Sequence, residues 1–142
     1  MRRLLAVLAV AAVPALADGA ASQTPRVRSA VAVSAEAGGG SRVEVRLERD
    51  AAAPQVGSFQ GELRFDPAAL TLAGAELPAG LVGAWNQVEP GRVRFAGVSP
   101  NGLGGGAVLV LRFTSRAPVA PDQLQVRLEE VFAVDGRSRL AP

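Results

Sequence analysis

From Val27 onward, apolar and polar residues alternate with a period of two rather than the 3.6 of a helix, the pattern of half-buried β-strands. The clearest run is Arg42 to Glu48, where Val43, Val45 and Leu47 share one face and Arg42, Glu44, Arg46 and Glu48 share the other. Successive strand side chains point to opposite faces, so the charged set lines a wet sheet surface. The same rhythm sets Phe59, Gly61, Leu63 and Phe65 against Ser58, Gln60, Glu62 and Arg64. It sets Val93 and Phe95 against Arg92 and Arg94, and Leu109, Leu111 and Phe113 against Val108, Val110 and Arg112. Leu124, Val126 and Leu128 oppose Gln125, Arg127 and Glu129, and the Ala-rich Leu70 to Leu77 run is a weaker strand.

Gly and Pro punctuate these runs at Gly38-Gly39-Gly40, Asp66-Pro67, Pro78, Glu89-Pro90-Gly91, Ser99 to Gly106, Pro118 to Asp122 and Asp135-Gly136. Many short strands between such breakers, with no long helical segment and no internal repeat, predict an all-β sandwich or barrel. All five Phe, at 59, 65, 95, 113 and 132, take the inward phase and are expected in the core. Two places break the alternation. Val108 and Val110 make their strand apolar on both faces, so it is either central and covered or presents a sticky patch. Glu130 shares the phase of Leu128 and Phe132, and a bulge or an exposed strand end is expected to spare it burial.

The N-terminus changes the charge picture. Met1-Arg2-Arg3 forms a positive region, Leu4 to Leu16 is apolar, and Ala15-Leu16-Ala17 matches an A-x-A cleavage signature, so residues 1–17 are predicted to be a signal peptide. Removing them takes two of the 15 basic residues, all Arg, and leaves 15 − 2 = 13 against 13 acids. A formally neutral chain argues against electrostatic capture of nucleic acid. The apolar run falls short of the about 20 residues a membrane span needs, so membrane contact is expected only if this segment stays uncleaved. No Cys follows it, which excludes a lipid-modified terminus. The expected location is the periplasm, the cell surface or the exterior. Residues 18–26 read as a flexible lead-in, and without Cys the core must hold the fold unaided.

The chemical inventory points away from catalysis. There is no His, Cys, Lys or Tyr, so a Ser nucleophile would have only a carboxylate as base. Two-carboxylate hydrolysis is poorly served, because Glu129 and Glu130 are strand neighbours expected on opposite faces. The remaining acids are scattered or alternate with Arg, no D-x-D-x-D loop is present, and no metal site or other cofactor is expected. Gly102-Leu103-Gly104-Gly105-Gly106 lacks the Lys-Ser/Thr of a phosphate loop and reads as a hairpin loop. Trp85 is the single Trp. It is expected to pack under the Leu77 to Val88 connection, although a carbohydrate-binding reading would make it the stacking residue.

Four segments in order carry a family resemblance. Phe59-x-Gly61-x-Leu63-x-Phe65-Asp66-Pro67-x-x-Leu70 resembles the cohesin signature, a strand ending in an aromatic-Asp-Pro turn and then Leu. Glu89-Pro90-Gly91-Arg92-Val93-Arg94-Phe95, Gly105 to Phe113, and Val131 to Gly136 are similar to later cohesin segments. The resemblance runs from about Val27 to Leu140. It implies that residues 27–142 form an antiparallel β-sandwich with jelly-roll topology and about nine strands. It also implies a non-catalytic docking module, in which one sheet face receives a protein partner such as a calcium-loaded dockerin. By position, Ser58, Gln60, Glu62 and Arg64 would contribute to that face, beside a possible Val108–Val110 patch. The other readings are a carbohydrate-binding module taking a polysaccharide through Trp85, and a structural subunit of a secretion or surface assembly that pairs through its edge strands.

Overall fold

The computed structural model describes residues 26–141, so the signal segment and most of the lead-in lie outside the described residues. Eight strands follow in chain order: β1 Val27–Ala35, β2 Gly40–Arg49, β3 Val56–Arg64, β4 Thr71–Glu76, β5 Val82–Glu89, β6 Arg92–Leu103, β7 Gly106–Thr114 and β8 Gln125–Ala133. They form two four-stranded antiparallel sheets, ordered β1-β2-β7-β4 and β5-β6-β3-β8, packed as a jelly-roll sandwich. The segment 139–141 takes a ninth strand position through two isolated bridges, Phe132 to Arg139 and Arg26 to Ala141. Its Leu140 amide donates to the Val131 carbonyl and its Ala141 carbonyl accepts from Val27, so it ties an edge of each sheet to the other. Among the described residues no helix is long and apolar enough to cross a membrane.

The alternation read from sequence is the alternation that builds the core. Val43, Val45 and Leu47 of β2, Leu63 of β3, Val93 of β6 and Leu109, Leu111 and Phe113 of β7 are all buried between the sheets. On the inner face of the second sheet, ring and glycine alternate. A Cβ on Gly61 would lie 2.8 Å from the Phe95 ring, and one on Gly97 would meet the Phe59 ring. The missing side chains are thus the seats of the aromatic ones. Phe65, just past β3, meets Phe113 of the opposite sheet edge-to-face, with centroids 4.9 Å apart, a favoured aromatic geometry.

Phe65 also explains why two of the sequence motifs occur together. Asp66 Oδ1 accepts from the Ala68 amide at 2.9 Å, and the Asp66 carbonyl accepts from Leu70, which turns that side chain back into the core. The Glu89-Pro90-Gly91 turn then docks on this one, with the Phe65 amide donating to the Gly91 carbonyl at 2.9 Å. Gly91 has φ +80°, and a Cβ there would run into the Phe65 carbonyl and the Pro67 ring. Left-handed backbone and close approach both demand glycine at this point.

Four expectations need correction. Phe132 is not a core residue. The pairing of β8 on β3 jumps from Gln60–Glu130 to Gly61–Leu128, leaving Glu129 as the extra residue of a bulge. Beyond it the phase inverts, so Val131 and Ala133 are buried while Phe132 is half-buried on the outer face and Glu130 is exposed. For the same reason Glu129 and Glu130 both face outward rather than to opposite sides. Third, β6 does not end at Ser99 but continues through Pro100 to Leu103, where it pairs with Val56 across a second irregularity. Fourth, the Leu77 to Val88 connection contains edge strand β5, whose pattern was hidden because only Trp85 among its residues is partly buried.

Truncation of the aromatic residues separates the two phases of the chain. Phe113→Ala should cost about 3–5 kcal/mol, measured by urea unfolding, whereas Phe132→Ala should cost about 1 kcal/mol. Equal losses would contradict the phase inversion.

Candidate functional site

The outer face of the β5-β6-β3-β8 sheet is organised in rungs, because directly paired residues share a face and lie side by side. The first rung is Val82, Val98, Ser58 and Phe132. The second is Ala84, Ala96, Gln60 and Glu130, and the third is Asn86, Arg94, Glu62 and Arg127. The fourth is Glu89, Arg92, Arg64 and Gln125. Same-face residues step by about 6.6 Å along a strand and neighbouring strands lie about 4.8 Å apart, so the face spans about 20 Å by about 15 Å. Its character changes along the strands, from apolar at the first rung to ionic at the last.

At the apolar end, Val82 is 68% and Val98 48% exposed, large values for valines in a sheet. Together with Ala84, Ala96, Ser58 and Phe132 they surround an open hollow of about 350 Å³, with Glu130 at its rim. At the ionic end, Glu62 is only 4% exposed although it belongs to the outer face. Its two carboxylate oxygens are taken by Arg64 Nε and by Arg92 Nε, the latter at 2.6 Å. These hydrogen bonds, first from Arg64 and then from Arg92, hold the Glu62 carboxyl below the usual carboxylate range despite its partial desolvation. Glu62 in turn raises the pKa of Arg92. Beside them, Glu129 accepts from Gln60 Nε2 at 2.9 Å and from Arg94 at 2.7 Å, and both bonds lower its pKa.

The structure therefore brings Ser58, Gln60, Glu62 and Arg64 onto one face, as their shared phase required. It changes the role of Glu62, which is sealed beneath two guanidinium groups rather than free in solvent. It separates Val108 and Val110 from that face altogether. Both lie on β7, an interior strand of the other sheet, and both are buried. Val108 is the extra residue where the β2 pairing jumps from Val45–Leu109 to Arg46–Ala107, and it joins the core. Val110 faces outward between its partners Glu44 and Glu76. The central, covered alternative holds and no sticky patch exists there.

Trp85 packs against the core from β5, opposite Phe95, rather than standing as a free platform. Sequence reasoning missed Val82, Val98 and Phe132 as surface residues. The signals were present in the pairing of Val82 with Val98 and in the bulge that was one of two expectations for Glu130, but each needed the sheet order to be read. Among the described residues, no three His, Cys, Asp or Glu side chains converge as a metal site.

No family profile matches the sequence. No curated protein matches it either. Solved structures do. The seventh ScaB type I cohesin of Pseudobacteroides cellulosolvens superposes with a TM-score of 0.63 at 16% identity, over 82% of this chain and 85% of that one. A non-cellulosomal cohesin from the archaeon Archaeoglobus fulgidus gives 0.58 at 21% identity, again over 82% and 85%. A type I cohesin–dockerin complex from Clostridium thermocellum gives 0.59 at 16%, over 82% and 92%. The domain has the cohesin fold. At these identities the likeness speaks for architecture, and the cohesin fold carries different surfaces in different chains.

The Glu62 cluster generates a pH dependence. A carboxyl whose pKa is lowered in the folded state adds stability above its unfolded pKa and loses it as pH falls through the folded value. On acidification from about pH 5 to about pH 3, the thermal midpoint should therefore fall more steeply for the wild type than for Glu62→Gln. Parallel curves from calorimetry would show that the two arginines contribute nothing through Glu62.

Proposed function

We propose that the chain is a non-catalytic docking module that holds a protein partner on the outer face of the β5-β6-β3-β8 sheet. One observation carries this reading: exposed Val82 and Val98 and half-buried Phe132 surround a hollow on an open sheet face, flanked by an ordered ionic cluster. A desolvatable apolar patch adjoining ordered polar groups is a combination found in specific protein interfaces. The structures that share the fold include cohesins solved with dockerins, from Clostridium thermocellum among others. A dockerin-like domain is accordingly the first kind of partner to test.

The N-terminal Arg2-Arg3, the apolar Leu4 to Leu16 run and Ala15-Leu16-Ala17 support export of this module by the general secretory route. On that reading the partner is met in the periplasm, at the cell surface or outside the cell. Trp85 is committed to the core side of β5, which leaves the carbohydrate reading without its stacking residue.

Substitution on opposite faces tests the assignment. Val98→Asp should abolish capture of the native partner in quantitative pull-down from the producing cells, and leave the thermal midpoint within a few degrees of wild type. Arg46→Ala, on the outer face of the other sheet, should leave capture unchanged. Loss of capture with Arg46→Ala and retention with Val98→Asp would move the interface to the other sheet.

A further inference from the structure

Strand β1 is the edge of its sheet and pairs with β2 over its whole length without a bulge. Its other side makes one backbone bond among the described residues, from the Val27 amide to the Ala141 carbonyl. That bond fixes the phase of the free edge. In an antiparallel ladder the N–H and C=O of one residue point the same way, and the direction alternates along the strand. Those of Ser29, Val31, Val33 and Ala35 therefore point outward with Val27, whereas the Arg26 carbonyl and the Glu36 amide bond on the β2 side. From Ser29 to Ala35 the edge carries no charge and no Pro. Exposed edges are ordinarily blunted by a charge, a Pro or a bulge. The opposite edge of the same sheet, β4, has such an irregularity between Leu72 and Gly74. The β1 edge has none.

The edge is also self-complementary. Arg28-Ser29-Ala30-Val31-Ala32-Val33-Ser34-Ala35-Glu36 reads almost alike in both directions about Ala32, with opposite charges at its ends. Two copies laid antiparallel with Ala32 beside Ala32 set Val31 against Val33, Ser29 against Ala35 and Arg28 against Glu36. All the outward backbone groups then meet outward groups, enough for about eight hydrogen bonds. Arg28 and Glu36 share the outer face, since Arg28 pairs in register with Glu48 and Glu36 reaches Arg112 Nε at 3.2 Å. Opposite charges directly across a strand pair attract, and this pair forms at both ends of the junction. Arg28 is free to turn to it, with its side chain 68% exposed and its contact with Asp50 long at 3.6 Å. Glu48 and Asp50 beside Arg28, and Arg42 and Arg112 beside Glu36, add two charges of each sign.

No neighbouring register does as well. A slip of two residues one way needs the Val27 amide, which Ala141 holds. A slip the other way sets Arg28 against Gly38 and Glu36 against Ala30, and both ion pairs are lost. Immediately after Glu36 the chain turns back toward β2 through Gly38 and Gly39, at φ +97° and +93°. The strand of a second copy therefore stops short of the seat taken by Ala141.

We infer that the chain pairs with a second copy of itself through β1, antiparallel about a twofold axis at Ala32. The two β1-β2-β7-β4 sheets become one sheet of eight strands. The axis stands perpendicular to that sheet, so the outer faces of the two β5-β6-β3-β8 sheets stay open and look to the same side. The pairing neither uses the proposed docking face nor depends on it.

A strand pair of this length falls below the about 1,200 Å² of a lasting interface, so the dimer should dissociate on dilution. Sedimentation equilibrium of the chain purified from the producing cells should show the mass rising from one copy toward two between about 1 μM and about 1 mM. Ala32→Lys sets like charges on the axis at an exposed position and should hold the mass at one copy, with the thermal midpoint unchanged. Arg28→Glu should weaken association about tenfold, and Glu36→Arg in the same chain should restore it. The chain has no Cys, so a single introduced thiol reports the register. Opposed residues of the closely spaced kind have Cα atoms about 4.5 Å apart, within disulfide reach. Oxidised glutathione should link Ala32→Cys to its own copy and leave Ala30→Cys unlinked, and this serves if Ala32→Lys fails to fold.

A wild-type mass of one copy throughout, or an undiminished dimer with Ala32→Lys, would overturn the inference. So would a rising mass without the Ala32→Cys link, or equal linking through Ala30→Cys, either of which moves the contact elsewhere. Linkage of Ala32→Cys in the producing cells to a different protein, and not to its own copy, would give the edge to a foreign strand and overturn it as well. None of these results touches the docking face, and Val98→Asp should leave the mass unchanged.

Discussion

Each strand of a sandwich can give the core only every second side chain, and everything on this molecule's surfaces follows from which set it gives. The rule places Leu63 inside and Glu62 outside one residue apart. It also makes an inserted residue decisive, since one extra position exchanges the two sets for the rest of the strand. The bulge at Glu129 is such an exchange. It keeps two carboxylates on the outer face, moves Val131 and Ala133 in, and sends Phe132 out. Without that single residue the first rung would lose its aromatic member.

The parts legible in the sequence are those where the rule runs undisturbed. β2, β3 from Ser58 onward and the Arg92 to Phe95 start of β6 read directly from alternation, and the turn residues at Asp66-Pro67 and Pro90-Gly91 followed from backbone chemistry. The shared face of Ser58, Gln60, Glu62 and Arg64 was legible for the same reason. What stayed hidden depends on pairing between distant segments. Strand β5 has almost no buried side, so it carries no alternation to detect. The covering of Glu62 by Arg92 joins residues 30 positions apart, and only the β3–β6 register brings them together. The irregularity at Val108 likewise belongs to a strand pair, not to a strand. A phase is local information, whereas a neighbour is not.

On the docking reading proposed above, the two halves of the face would do different work. Apolar contact around the hollow removes surface from water and is tolerant of the exact side chain that fills it. The exposed guanidinium groups contribute little net energy, but together with exposed Glu89 and Glu130 they would set where a polar group of a partner could be placed. Glu62 and Glu129 matter here as anchors. By fixing Arg64, Arg92 and Arg94 in advance, they reduce the side-chain freedom that binding would otherwise have to remove.

The segment 139–141 runs parallel to the start of β1, with Ala141 beside Arg26 and bonded to Val27. The two ends of the domain therefore leave in opposite directions from one shared seam. Tension applied between them loads those bonds lengthwise, all together, instead of peeling them apart in succession. A module gripped on its broad face and tethered through its ends would feel traction first at this seam, about which the two layers are laced.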